Sequence, residues 1–143
     1  MSKFPIETIR HSAAHIMAAA VNKLFPDVMF DIGPSTADGF YYDFDIKSRL
    51  VLEDLERIED KIKEIINARI PFEYFELSRE EAEKLLREKG QKYKIERLAD
   101  IPDGEKISFY KIGDFVDLCR GPHVEQSGQA GVVKLLSIAG SYY

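Results

Sequence analysis

The strongest constraint on the fold is a helical pattern near the start of the chain. Residues 6–25 carry apolar side chains at helical spacing, and Pro26 and Asp27 end the pattern. The other side of this helix is small, with Ala14 and Ala18. A helix that is apolar on one face and alanine-rich on another is typical of one packed from more than one direction. We therefore predict that this N-terminal helix is the central element of the fold.

Two further helices are predicted from periodicity and capping signals. Apolar residues recur at helical spacing over residues 52–66, and Pro71 closes this long amphipathic helix. Ser78 with Glu81 three residues later is a capping-box signal for the next helix, which Gly90 can end.

Short runs of apolar or alternating residues predict strands around these helices. The first two strands, residues 28–32 and 40–44, flank a turn-rich loop and are predicted to pair as a hairpin. Further strands are predicted over residues 72–77, 93–98, 106–112 and 132–138. Helices and strands mix without a regular βαβ alternation, so the predicted fold class is α+β with a largely antiparallel sheet.

Length and composition favour a single soluble domain. The chain has 143 residues, 45% of them hydrophobic, which is enough for one core, so we expect residues 1–143 to form one domain. No apolar stretch approaches the roughly 20 residues that cross a bilayer, and Met1 to Ile6 lacks the apolar core of a signal peptide. We therefore expect a cytoplasmic protein with no membrane partner.

The net charge argues against a domain that holds nucleic acid through its overall charge. The formal net charge is −5, whereas phosphate binding uses clustered Lys and Arg. Residues 84–97 differ locally, because six basic residues there outnumber two acidic ones. This stretch is either a solvated helix end with the loop after it or a local contact for phosphates.

Two histidines lie four residues apart on the first predicted helix. His11 and His15 therefore project from one face, with Cβ atoms roughly 5 to 6 Å apart, which suits two ligands of one ion. Zinc proteases use this spacing with a Glu after the first histidine, and here Ser12 stands in that position. Protease chemistry is therefore disfavoured.

A second pair with the same spacing lies near the end of the chain. Cys119 and His123 flank Gly121 and Pro122, which force an irregular turn. All three histidines and the single cysteine of the chain stand in these two pairs, so we predict that the pairs share one site. The four groups could close a tetrahedral zinc site or leave one position for water. The metal-free alternative is a histidine acting as general base on water, oriented by Asp117 or Cys119.

Three segments resemble a known family in sequence, order and spacing. They are HSAAH (11–15), GFYYDF (39–44) and GDFVDLCRGPHV (113–124), and they closely resemble the editing domain of bacterial threonyl-tRNA synthetases. The resemblance continues through residues 134–136 and 139–140. Alanyl-type editing domains share the two pairs, but the flanking segments match the threonyl family.

The resemblance implies a proofreading hydrolase with the fold of the threonyl and alanyl editing domains. Its substrate would be the acceptor end of tRNA(Thr) wrongly charged with serine, and its partner the remainder of the synthetase. Because the chain ends at Tyr143, we expect an editing domain without the aminoacylating catalytic domain, and a free-standing editing protein is the alternative.

The resemblance also assigns residues to roles. Catalytic roles are implied for His11, Lys94, Asp117, Cys119 and His123. Contacts with the substrate are expected for His15, Tyr42 and Arg120. Zinc, where bound, would be held by His11, His15, Cys119 and His123.

Two rival functions remain open from the sequence. One is a tRNA-binding appendage in which the same four residues form only a structural zinc site, and the other is an alanyl-type free-standing deacylase. Removal of a structural zinc would melt the fold, whereas a hydrolytic site with a loosely held metal would leave the fold nearly unchanged.

Overall fold

Residues 4–47 and 50–136, which the computed structural model describes, form four helices and two small antiparallel sheets. The helices are α1 (Ile6–Leu24), α2 (Leu52–Asn67), α3 (Arg79–Glu88) and α4 (Lys92–Ala99), with a short 3-10 helix at Ser127–Ala130. The strands are β1 (Met29–Phe30), β2 (Phe44–Asp45), β3 (Phe72–Glu76), β4 (Ser108–Ile112) and β5 (Phe115–Leu118). Strand β1 pairs with β2, and the second sheet has the order β3-β4-β5. The predicted α+β class is therefore confirmed.

Helix α1 is the central element, as predicted. It packs against α2 and against the 3-10 helix, and the main core of the protein lies between these elements. Both faces of α1 are covered, since Ala14 and Ala18 are buried as completely as Ile16. Small alanine side chains let the neighbouring elements approach the helix closely, which explains why this helix carries so many of them.

A second, smaller core lies between α3, α4 and β4. Leu86, Leu98 and Phe109 are its largest buried members. The predicted capping box begins α3, because the Ser78 hydroxyl accepts from the Glu81 backbone N–H while the Glu81 carboxylate accepts from that of Ser78. Helix α3 therefore starts where the local sequence predicts.

Strand β5 was not predicted, and it positions part of the site. Its side chains alternate between buried and half-buried, with Phe115 and Asp117 pointing inward. An inward-pointing carboxylate breaks the apolar alternation from which strands are recognised, so the pattern gave no signal here. Pairing with β4 sets Asp117 directly opposite Tyr110.

The predicted strand at residues 93–98 is wrong, because this segment forms helix α4. Its buried side chains, Tyr93, Lys94 and Leu98, are spaced for a helix and not for alternation. Carbonyls at the end of α4 and just after it have a partner from α3, since the Arg79 guanidinium donates to the carbonyls of Leu98 and Ile101. The carbonyls at the end of a short helix need hydrogen-bond donors from outside the helix. The pattern of six residues alone does not indicate whether such donors are present.

Other strand predictions were too long. The hairpin is present, but β1 and β2 are two residues each, and Phe40 makes only an isolated bridge to Ser35. Residues 132–136 have no regular structure, and positions 137–138 lie outside the described residues. In the loop between β1 and β2, the Arg10 guanidinium donates to the carbonyls of Thr36 and Ala37.

Within the described ranges, no helix combines the length and apolar character that crossing a membrane requires.

Candidate active site

Three of the four predicted ligand residues meet where α1 faces the segment after β5. The Cys119 Sγ lies 3.5 Å from the His11 Nε2 and 3.4 Å from the His123 Nε2. One donor atom from each residue lies within 4.8 Å of the other two. His123 is buried, while His11 and Cys119 are half-buried, so the group is open on one side. The predicted meeting of His11 with Cys119 and His123, which lie more than a hundred positions further along the chain, is therefore observed.

Two of the three separations between these donors match those around a zinc ion. A tetrahedral zinc with bonds of about 2.3 Å to sulfur and about 2.05 Å to nitrogen separates those two donors by about 3.5 Å. The two sulfur–nitrogen distances here agree with this value. Three protein donors leave a fourth tetrahedral position, which is the arrangement of catalytic and not of structural zinc sites. The donor set is therefore chemically suited to hold zinc with room for a water molecule.

His15 lies beside this group and is not one of its members. Its Nδ1 is 3.9 Å from the Asp117 Oδ2, and its ring packs edge-on against His123 and Phe115. Among the described residues, its Nε2 has no hydrogen-bond partner. Burial lowers the pKa of His15 to about 3, and the charge of Lys94 acts in the same direction. His15 is therefore a neutral, enclosed imidazole behind the donor group, and its predicted contact with substrate stays a prediction.

Asp117 joins two other residues in a buried polar cluster beside the donor group. The Lys94 ammonium lies 3.0 Å from its Oδ1, and the Tyr42 hydroxyl donates to its Oδ2 at 2.5 Å. Lys94 and Asp117 are 6% and 4% exposed, so this ion pair is almost fully removed from water. Burial raises the pKa of Tyr42 well above its usual value, and the Asp117 charge adds to this effect. Tyr42 therefore stays a hydroxyl donor that holds the carboxylate.

The donor group is electrically neutral at physiological pH. Burial lowers the pKa of His123 to about 2, and repulsion from a second protonated imidazole, His15 or His11, acts in the same direction. Burial also lowers the pKa of His11, against the opposing effect of Asp117. The pKa of the Cys119 thiol rises to about 12, mainly through burial and secondarily through Asp117. Two neutral imidazoles and a protonated thiol therefore face the open side of the site.

Two glycines allow aromatic rings to close the walls of the site. A Cβ built at Gly33 would overlap the Tyr42 ring, and one built at Gly121 would overlap the Tyr110 ring. Gly121 also has φ of +75°, a left-handed conformation that favours glycine. The Tyr110 ring packs edge-on against His123, with 4.4 Å between the ring centroids. Tyr110 was missed from the sequence because its role follows from strand pairing and not from any motif.

Ser12 is a second residue that sequence reasoning missed. It stands between the two histidines of α1, is completely buried, and its Oγ lies 3.1 Å from the His123 Nδ1. The available signal was a polar residue on the buried side of a central helix, adjacent to a candidate ligand. Buried hydroxyls are normally hydrogen-bonded, so such a residue indicates a specific polar partner.

Arg120 lies apart from the buried cluster. Its side chain is 79% exposed and pairs with Glu105 at 3.0 Å. Its predicted contact with substrate is not tested by this arrangement.

The basic stretch at residues 84–97 divides into two kinds of residue. Lys94 is drawn into the site, and Arg97 pairs with the buried carboxylate of Asp31 at 2.7 Å. The remaining basic side chains of the stretch are exposed, namely Lys84, Arg87, Lys89 and Lys92. The stretch therefore contributes one residue to the site and a small exposed basic surface beside it.

Known proteins are similar to this chain over nearly its whole length. Residues 107–141 match the family described as the Threonyl and Alanyl tRNA synthetase second additional domain. Over 137 residues, which are 96% of this chain, it is 50% identical to the threonine–tRNA ligase of Acetivibrio thermocellus. It is 52% identical over the same length to the threonine–tRNA ligase of Carboxydothermus hydrogenoformans. This chain is homologous to a segment of threonine–tRNA ligases. The resemblance to threonyl-tRNA synthetases that its motifs indicate is thereby confirmed.

The matched region is a small part of each ligase. The chain spans 22% of the length of each of these two ligases and 21% of the ligase of Clostridioides difficile, to which it is 50% identical. The matched family segment contains Cys119 and His123 but begins after α1. The geometry brings His11 of α1 next to that segment.

Proposed function

We propose that this chain is a tRNA-editing domain that hydrolyses the ester bond of mischarged seryl-tRNA(Thr). The observation that carries the proposal is the open group of His11, Cys119 and His123 next to the buried Lys94–Asp117 pair. Homology with threonine–tRNA ligases supports tRNA(Thr) as the partner, together with the remainder of such a synthetase in the cytoplasm.

The need for such a site follows from the chemistry of recognition. A synthetic pocket built to bind the threonine hydroxyl also accepts serine, because one missing methyl group is worth only about 1 to 3 kcal/mol. Serine is therefore attached by mistake at a rate that binding alone cannot suppress. A second site that removes the smaller amino acid restores accuracy.

In the proposed reaction, a neutral imidazole acts as the general base. The free lone pair of His11 accepts a proton from water as the water oxygen bonds to the ester carbonyl carbon. His123, whose pKa of about 2 makes it a weak base, accepts a hydrogen bond that orients the water. The tetrahedral intermediate then expels the ribose oxygen, which takes the proton back from the imidazolium. The products are serine and uncharged tRNA.

The other residues orient and stabilise the reacting groups. The Lys94 ammonium supplies a fixed positive charge near the developing oxyanion, and Asp117 holds that ammonium in place. Cys119 is a poor nucleophile in the metal-free site, because its thiol has a pKa of about 12 and stays protonated. We therefore propose hydrolysis by direct attack of water and not through a thioester.

Zinc is compatible with the same residues. His11, Cys119 and His123 would hold it, and a bound zinc would polarise the carbonyl and lower the pKa of its water. The cysteine must lose its proton for this, so zinc affinity in this site should rise with pH.

The site must select serine over threonine by excluding the larger side chain. Both amino acids present an amine and a hydroxyl, so Lys94, Asp117 and Tyr42 can contact either one. The extra methyl group of threonine can clash with the wall of the site or displace the attacking water. The free-energy cost of such a clash can exceed the binding free energy that a pocket gains by enclosing a methyl group. We expect the discrimination to appear as lost turnover of the threonyl ester.

The test is deacylation of seryl-tRNA(Thr) and threonyl-tRNA(Thr) by the 143-residue chain. We expect fast release of serine, slow release of threonine, and at least about 100-fold slower release of serine by His11→Ala or His123→Ala that are still folded. Exposed Lys92→Ala is the matched control and should retain the activity. Absence of hydrolysis in the wild-type chain would refute the proposed function. Equal rates for the two esters would refute the proposed exclusion of threonine.

A further inference from the structure

The hydrogen bonds around the Ser12 hydroxyl determine where the proton of His123 resides. The Ser12 Oγ has three neighbours: the Thr8 carbonyl oxygen at 2.8 Å, the Val124 backbone N–H at 3.0 Å and the His123 Nδ1 at 3.1 Å. A hydroxyl has one proton to donate and two lone pairs to accept with. Its three neighbours therefore compete for a limited set of positions.

Two of these three contacts have a fixed direction. The Thr8 carbonyl can only accept, so it takes the single hydroxyl proton of Ser12. The Val124 N–H can only donate, so it occupies one lone pair of the Oγ. The remaining position is the second lone pair, and the His123 Nδ1 must then carry a proton to bond with it.

The opposite assignment leaves two acceptors in contact. If Ser12 donated to the His123 Nδ1, no proton would lie between the Ser12 Oγ and the Thr8 carbonyl oxygen, which are 2.8 Å apart. All of these atoms are buried with Ser12, which is 0% exposed, so water offers no compensation. The Nδ1–H form of His123 is the arrangement that satisfies every neighbour.

We propose that Ser12 is a positioning residue that holds His123 in its Nδ1–H tautomer. The unprotonated nitrogen is then Nε2, which lies 3.4 Å from the Cys119 Sγ in the donor group. That lone pair is the one that must be free, whether it accepts a hydrogen bond from the attacking water or binds a metal. The catalytic part of this inference rests on the proposed function, whereas the tautomer does not.

The tautomer is measured directly by long-range proton–nitrogen NMR on the metal-free chain with 15N-labelled histidine. Protonated and unprotonated ring nitrogens have distinct 15N shifts, and the loss of signals in His123→Gln assigns those of His123. We expect the wild-type His123 to have a protonated Nδ1 and an unprotonated Nε2. A proton on Nε2 in the wild-type chain overturns the proposal, and this result does not depend on any variant of Ser12.

The variants test whether Ser12 is the cause. Ser12→Ala should give a mixture of the two His123 tautomers, and Ser12→Thr, which keeps a hydroxyl, should restore the single Nδ1–H form. Ser127→Ala is the matched control, because Ser127 is equally buried and its hydroxyl donates to the Ile65 carbonyl and accepts from the Ile70 N–H, with no histidine contact. It should leave the spectrum of His123 unchanged. An unmixed Nδ1–H spectrum in Ser12→Ala overturns the role of Ser12.

Hydrolysis supplies the second measurement. Ser12→Ala should lower kcat for seryl-tRNA(Thr) by about tenfold to a hundredfold with KM unchanged, which is less than the roughly 10⁴-fold loss when a wrong histidine tautomer is enforced. The loss is smaller because alanine releases the ring without imposing the other tautomer. Unchanged kcat in a variant with mixed tautomers overturns the catalytic role. A wild-type chain that does not hydrolyse the ester refutes the proposed function instead, and the spectra still decide the tautomer.

Discussion

Acid should destabilise this protein through its enclosed histidines, and His15 allows the effect to be measured. The unfolded chain binds a proton on a histidine below about pH 6.5. Folded His15 binds one only near pH 3, because burial lowers its pKa to about 3. In the window between these values the unfolded state carries more protons than the folded state. The free energy of unfolding therefore falls as the pH falls from 7 towards 3.

The size of this effect depends little on the exact folded pKa. Between pH 7 and pH 5, a histidine that titrates near 6.5 when unfolded and near 3 when folded lowers the free energy of unfolding by about 2 kcal/mol. His123, whose pKa burial lowers to about 2, contributes a similar amount. A loss of about 4 kcal/mol is large beside the roughly 5 to 15 kcal/mol of a typical domain.

The assay is urea unfolding followed by circular dichroism at pH 7 and pH 5, with chelator present so that metal does not contribute. His15→Gln removes the titrating group, so its stability should change by about 2 kcal/mol less than that of the wild type between the two pH values. Ser127→Ala is the control, since it removes buried hydrogen bonds but no titrating group and should keep the full wild-type difference. Equal pH dependence in wild type and His15→Gln would refute the reasoning.

Three further predictions concern single features of the site. Lys94→Ala should reduce deacylation at least about tenfold, because it removes the fixed positive charge at the ester, while the exposed neighbour variant Lys92→Ala should keep wild-type rates. Chelation of metal should leave the thermal melting curve nearly unchanged, because the donor group is open on one side and lies outside the apolar core; a large drop in Tm would instead support the structural zinc site. Gly33→Ala should destabilise the fold by about 1 to 3 kcal/mol in urea unfolding, because its Cβ overlaps the Tyr42 ring, whereas Gly39→Ala has open space around its Cβ and should be nearly neutral. Wild-type activity in Lys94→Ala, or equal stability of the two glycine variants, would contradict these expectations.

Local patterns along the chain were sufficient to predict several parts of this protein. The central helix followed from apolar and alanine faces at helical spacing, and the start of α3 followed from the Ser78 and Glu81 pair. The meeting of His11 with Cys119 and His123 followed from two pairs of matched spacing that use all the histidines and the single cysteine. These features depend on the spacing and number of residues along the chain, so they can be recognised in the sequence without knowledge of the fold.

Other features were decided only by contacts between distant parts of the chain. Residues 93–98 form helix α4, where Arg79 of α3 donates to the carbonyls of Leu98 and Ile101. The helix places the Lys94 ammonium 3.0 Å from the Asp117 carboxylate. The exclusion of His15 from the donor group depends on how deeply α1 is packed. Ser12 and His123 are 111 positions apart, and no spacing rule relates them. Burial and the direction of hydrogen bonds are properties of packed atoms, and packing is set only when the whole chain has folded.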